Sequence, residues 1–424
     1  MHCGAAARCI TPDRPVRLSG YSSRDGLSEG VYQDLFVKAL AFQSGGRPVV
    51  IVTSDLLYFD DELLTLVEEE LARAPGLAPE QLIFTASHTH CGPVIRRRDT
   101  WIYGGRDEAY MVELRTALAA VVRDALRSLE PARLTYHRAT CDFNINRRLK
   151  TPTGVEMLPN PDGVVDRDLD ILVVTRLGGT VRALLFSYTC HPTTMGGYLI
   201  GGDYPGFAQR AIESAYPGAT ALFVQGCTGE VRPNNVEANG RFKSGPLEVV
   251  ERFGRRLAEQ VLAGMRGHGT CVDGPLHLAH RVVELPLMPH PSRAELARAL
   301  EDQSPFRRRW ATDMLGKYDR DEKLPTTWPV HLQTVRIGDS LSLVAIAGEA
   351  CVEIGLRIKE LIGQGPRFVL GYTNRVVGYI PSKSIHADGG YEVDGWYLYE
   401  GMPSHFAQSA EDLLVEAAQA MLAR

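Results

Sequence analysis

The chain has 424 residues, 44% hydrophobic and 23% charged, with 46 Lys and Arg against 51 Asp and Glu. At roughly 150 residues per domain that length allows two or three domains or one large α/β unit. The net charge of −5 supplies no global field for polyphosphate, so no nucleic-acid partner is expected. The basic runs Arg96-Arg97-Arg98 and Arg307-Arg308-Arg309 lack interleaved aromatics and read as a solvated loop and a solvated helix face. No apolar stretch approaches the ~18 residues of a membrane span. The N-terminus, Met-His-Cys-Gly-Ala-Ala-Ala, shows no secretory signal. Eight cysteines without a CxxC pair read as reduced thiols, and a cytoplasmic location is expected.

In chain order, residues 48–55 form a β-branched apolar run, and Asp60-Asp61-Glu62 caps a helical pattern to Ala74. A second strand covers 81–87, and a long periodic helix 107–129. The polar segment 150–168 reads as an excursion from the core. Strands at 181–188 and 220–225 precede a helix at 246–265. The small, polar stretch 267–275 is the best internal seam, with proline-rich 286–292 a second candidate. Residues 292–328 are charged and helical in character, an inserted subdomain or a lid. A strand at 340–347, a helix at 348–362, a strand at 367–372 and a closing helix from about 403 to 422 complete the pattern. Strands alternating with helices predict an α/β (mixed α+β) fold, a single catalytic unit over 1–424 with a central mixed sheet flanked by helices.

Four of these strands end in polar runs: Ser87-His88-Thr89-His90-Cys91-Gly92-Pro93, Cys190-His191-Pro192-Thr193-Thr194, Gly226-Cys227-Thr228-Gly229-Glu230 and Gly348-Glu349. Carboxyl ends of strands in open α/β sheets are where ligands bind, so these four predict one shared crevice. If residues 88–90 are extended, the His88 and His90 imidazoles point to the same side. Two imidazoles and a carboxylate suit a catalytic Zn²⁺ that keeps a position open for water. An isolated HxH is a weak signal, because a buried histidine more often satisfies a hydrogen bond.

These blocks resemble the neutral (non-lysosomal) ceramidases. Residues 87–93 are similar to that family's SHTHSGP, His191-Pro192-Thr193-Thr194-Met195 to its HPTSM, and Gly229-Glu230-Val231-Arg232-Pro233-Asn234 to its GDVSPN. Gly348-Glu349 and the segment from Tyr372-Thr373-Asn374 to Gly378-Tyr379-Ile380 resemble two further blocks in the same order, and the resemblance runs from near Ile10 to at least Glu392. It implies one zinc ion held by His88, His191, Glu349 and Tyr379, with His90 beside it as oxyanion stabiliser or proton shuttle. It also places Arg147, in Asn146-Arg147, in the active site. Asp203, in Gly202-Asp203-Tyr204-Pro205-Gly206, reads either as an acid–base carboxylate or as a turn residue opening the helix at Phe207.

One position departs from the family. The serine of GDVSPN, the family's nucleophile, is Arg232 here. A guanidinium stays protonated and cannot attack a carbonyl, so a metal-activated water becomes the expected nucleophile. Arg232 then reads as a contact to a polar or anionic substrate, or as an ion-pair partner of Glu230 or another acid. Glu230, Asn234 and Glu392 join it as candidate substrate contacts; Trp310, Trp328 and Trp396 fit either a pocket or the core. The longer ceramidases carry an additional β-sandwich domain, so a smaller and more polar substrate than a two-chain lipid is expected. The leading expectation is zinc-dependent hydrolysis of an amide (C–N) bond. Cleavage of an ester, lactone or glycoside, and a non-catalytic metal-containing binding protein, are the alternatives.

Overall fold

A computed structural model describes residues 1–423. Its larger sheet runs in the order Thr220–Gln225, Val181–Tyr188, Asp168–Arg176, Glu130–Thr140, His2–Cys9, Phe36–Gln43, Val49–Ser54, Leu82–Ala86. Thr270–Val272 pairs with Glu130–Thr140 beside this path. The outer pairs at both ends are parallel and the middle is antiparallel. One face is covered by the helices Asp61–Arg73, Glu108–Arg127, Asp203–Ala215 and Leu247–Gly264. Two of these start where acidic side chains predict it: Asp60 accepts the Leu63 amide and Asp107 the Tyr110 amide, each satisfying a free N–H of the first turn.

The central mixed sheet is therefore as expected, but a second sheet packs on its other face. Leu276–Pro286, Thr327–Ile337, Leu341–Ile346 and Arg367–Leu370 form four strands in that order. Their inner residues Val335, Leu343, Phe368 and Leu370 share one apolar cluster with Leu40, Ile51, Leu134 and Leu185 of the first sheet. The far face of the second sheet carries the helices Val352–Ile362 and Ala410–Leu422. The layers are helix, sheet, sheet, helix. The seam at 267–275 is where the chain finishes the first sheet and enters the second.

Two excursions have defined shapes. Within 150–168 lies much of a hairpin, Asn144–Thr151 with Gly154–Asn160. Residues 292–328 hold the helices Arg293–Ala299 and Pro305–Asp319, inserted between strands that pair over Leu276–Pro286 and Thr327–Ile337. Trp310 packs inside this insertion and donates its indole N–H to the Met402 carbonyl at 2.8 Å.

The two sheets are joined at the predicted crevice. Leu82–Ala86 is an edge strand, and the segment after Arg367–Leu370 covers it: Ala86 N–H donates to Tyr372 O at 3.1 Å and Asn374 N–H to Phe84 O at 2.7 Å. Among the described residues five non-glycines have positive φ; His88 (66°), Tyr372 (57°) and Asn374 (48°) lie in the loops around this junction, and Asp203 (51°) opens the helix Asp203–Ala215. Such conformations cost about 1–3 kcal/mol each and cluster where a site demands them.

Candidate active site

His88 leaves the Leu82–Ala86 strand in a left-handed conformation, so the extended HxH geometry does not occur. The rings meet nonetheless, with Nε2 of His90 3.3 Å from Nε2 of His88. His88 Nδ1 lies 3.0 Å from the Leu57 carbonyl. His191 Nδ1 lies 2.7 Å from Thr228 O and 3.1 Å from Val231 O. A ring nitrogen facing a carbonyl carries the proton, so both Nε2 atoms present lone pairs. Burial lowers the pKa of His88 and, further, of His90 and His191, where neighbouring charges add to the effect. All three are neutral imidazoles near pH 7.

Glu349 closes the group. Its Oε2 is 3.5 Å from Nε2 of both His88 and His191, and its side chain is 1% exposed. Glu349–Ala350 pairs in parallel with Tyr379–Ile380, placing Glu349 opposite Tyr379. The helix expected from 348 thus begins only at Val352. The Tyr379 and Tyr372 hydroxyls each lie 3.4 Å from His191 Nε2. Tyr372 also reaches Thr228 Oγ1 at 2.7 Å and Glu349 Oε2 at 3.3 Å. Tyr58 donates to Glu349 Oε1. Two neutral imidazole Nε2 atoms facing one buried carboxylate are a donor set that fits a cation. The ligand atoms of His88, His90 and His191 all lie within 4.8 Å of one another, so that trio, two of its members buried and His90 half-buried, could also hold a metal.

Arg147 enters from the strand Asn144–Thr151. It donates through Nη2 to the Tyr379 hydroxyl at 3.0 Å and to Gly229 O at 2.7 Å, and through Nε to Glu392 at 2.8 Å. Arg148 takes the other Glu392 oxygen at 2.6 Å. Burial raises the Tyr379 phenol well above its ordinary value, Glu349 adds to this, and Arg147 opposes it.

Several candidate residues sit apart from this group. Glu392, expected as a substrate contact, is buried as the shared counter-ion of Arg147 and Arg148. The Glu230 carboxylate accepts the Val352 amide at the start of a helix. It forms no ion pair with Arg232. Arg232 donates to Thr193 O at 3.1 Å and stacks on Phe242, 4.3 Å from the ring centroid, while its Nε stays buried without an acceptor. Asn234 is an exposed residue just after the strand Val231–Pro233, and its amide donates to Phe143 O. Asp203 accepts the amides of Thr194 and Met195 at 2.9 Å and of Tyr204 at 2.6 Å, at the start of the helix Asp203–Ala215. It ties the loop after His191 to the next helix. Sequence reasoning assigned no role to Tyr58 or Tyr372; only the place of Tyr372 in a matching block pointed toward it.

Beside Glu349 and Tyr379 lies a cavity of about 100 Å³, walled by tyrosines, Trp396 and the acids Asp99 and Glu400. Phe306 of the helical insertion packs on Tyr399 of this wall, centroids 4.8 Å apart. Among the described residues, no helix is long and apolar enough to cross a membrane.

The two-sheet sandwich thus carries a histidine–carboxylate cluster at strand ends, beside an aromatic cavity, whose histidines could hold a metal. Residues 3–274 match the family described as neutral/alkaline non-lysosomal ceramidase, N-terminal, over more than half of the chain. The chain belongs to that family and is a ceramidase-family hydrolase. Two solved structures share its fold. Neutral ceramidase from Pseudomonas aeruginosa is 21% identical with a TM-score of 0.76, over 99% of this chain and 74% of that one. A ceramidase complexed with C2 is 20% identical with a TM-score of 0.77, over the same 99% and 74%.

Proposed function

We propose that the chain is a zinc-dependent hydrolase of an amide bond in a small, polar substrate. The observation that supports this reading most is the approach of the His88 and His191 Nε2 atoms, each 3.5 Å away, to one oxygen of Glu349 at the cavity wall. His88, His191, Glu349 and Tyr379 would hold the ion. The chemistry zinc supplies when bound is polarisation of the scissile carbonyl and a nucleophile available at neutral pH.

The chain's own residues do the rest. His88 and His191 are fixed in one tautomer by backbone carbonyls, which orients their ligating nitrogens. His90 has no such anchor: its Nδ1 is buried without a partner. That leaves its ring free to present a proton to the developing oxyanion or to the leaving amine. Arg147 holds the Tyr379 hydroxyl and stabilises negative charge there. Asp203 positions the loop after His191 rather than moving a proton. Arg232 at the family's serine position removes a side-chain nucleophile, and its unpartnered Nε is the group left to meet a polar substrate. The helical insertion acts as a lid on the aromatic wall. Eight free cysteines, six of them buried, support a reducing, cytoplasmic setting.

The test is turnover on a panel of N-acyl, ester and glycoside substrates, after chelation and after zinc return. Amide cleavage lost with chelator and restored by zinc is the expected result. Undiminished turnover in chelated protein would sink the reading.

A further inference from the structure

We propose that the cavity beside Glu349 and Tyr379 is a subsite for a polyhydroxylated group, sugar-like in chemistry, received by Asp99 and Trp396. The inference rests on the hydrolase reading above and names the head of its substrate.

The cavity wall carries hydrogen-bonding groups whose needs the protein leaves unmet. Asp99 is 5% exposed and lines the cavity. Among the described residues no N–H or O–H donates to its carboxylate, and its nearest cation is Arg96, 3.5 Å away from Nε to Oδ1. Trp396 is 2% exposed and also lines the cavity, and its indole N–H has no acceptor. Behind Asp99, Arg96 spends Nη2 on Glu400 at 2.6 Å and leaves Nε and Nη1 buried without acceptors. A buried donor without an acceptor, as at Trp396, costs about 1–3 kcal/mol, and the Asp99 carboxylate has lone pairs left for a ligand's hydroxyls.

The mixture of unmet needs selects the ligand. An alkyl chain would leave both kinds of group unpaired. An ammonium would serve Asp99 but could accept nothing from Trp396, and Arg96 with Arg98 at Glu400 already balances the acids. A hydroxyl donates and accepts at once, so a cluster of hydroxyls satisfies both. Tyr58, Tyr103 and Tyr399 supply the aromatic faces against which the C–H face of such a ring packs.

The test is calorimetric binding to the full-length protein, read separately from turnover. The probes are N-acetylglucosamine, N-acetylgalactosamine and N-acetylmannosamine against N-cyclohexylacetamide, which matches them in ring size without the hydroxyls. At least one amino sugar is expected to bind about tenfold tighter than N-cyclohexylacetamide, with Asp99→Asn and Trp396→Phe each reducing that preference. Equal or tighter binding of N-cyclohexylacetamide, or no amino-sugar binding, overturns the proposal. The wild-type comparison stands even if a variant fails to fold. Sugar binding without zinc-dependent amide cleavage would refute the hydrolase reading and leave the subsite standing. Zinc-dependent cleavage with an alkyl preference would do the reverse.

Discussion

Arg147 reaches the Tyr379 hydroxyl with Nη2 at 3.0 Å while its Nε holds Glu392 at 2.8 Å. One buried guanidinium thus joins a residue of the proposed metal group to a counter-ion on a different segment, and Arg148 shares that counter-ion. Paired charges of this kind are costly to break, because the survivor stays buried and uncompensated.

Arg147→Met is therefore expected to lower stability by about 3–5 kcal/mol. The turnover of the folded fraction should fall by roughly 100-fold, as for loss of one oxyanion donor. Denaturant titration with kcat measured per folded molecule checks both. A variant of full activity would remove Arg147 from the chemistry.

Tyr372→Phe deletes a hydroxyl that lies 2.7 Å from Thr228 and 3.3 Å from Glu349. Metal affinity should weaken about tenfold, the lower range for an outer hydrogen-bond partner. Competition with a zinc-binding dye measures it, and an unchanged affinity would show that Tyr372 serves the fold alone.

Asp203→Asn replaces an oxygen that accepts two backbone amides with a group that can present N–H to them. A stability loss of about 2 kcal/mol is expected from the unsatisfied donors. Unchanged stability with abolished turnover would instead return Asp203 to proton transfer.

Glu230 carries a pH dependence of known sign. Burial lifts its carboxyl from 4.5 to about 7. The folded state then keeps a proton that the unfolded state releases, so the contribution is complete below the unfolded value and disappears as pH rises through about 7. Between about pH 5 and pH 8, wild type should lose on the order of 3 kcal/mol relative to Glu230→Gln. Parallel stability curves for the two proteins would contradict this.

The order of the site blocks was legible in the sequence because polar residues interrupt apolar strands abruptly at His88, His191 and Glu349. Helix starts at Asp61 and Glu108 were legible from their caps, since Asp60 and Asp107 bond the backbone locally. What stayed hidden depends on distant partners. The strand Phe36–Gln43 contains Lys38, buried because Glu213 and the Ala221 carbonyl receive its ammonium, so no apolar run betrays it. Thr327–Ile337 contains Pro329 and pairs across an insertion. The left-handed turn at His88 and the two-residue ladder of Glu349 with Tyr379 are set by tertiary contact and leave no periodicity. Glu392 looked available for substrate because nothing near it in sequence shows that Arg147 and Arg148 claim both its oxygens.

The central claim is that His88, with His191 and Glu349, holds the ion while His90 stands beside it. Metal stoichiometry by elemental analysis of wild type, His88→Ala and His90→Ala tests it most directly. One zinc per chain in wild type and in His90→Ala, with almost none in His88→Ala, is the predicted result. Zinc lost from His90→Ala as completely as from His88→Ala would assign the ion to the three-histidine group and contradict this account.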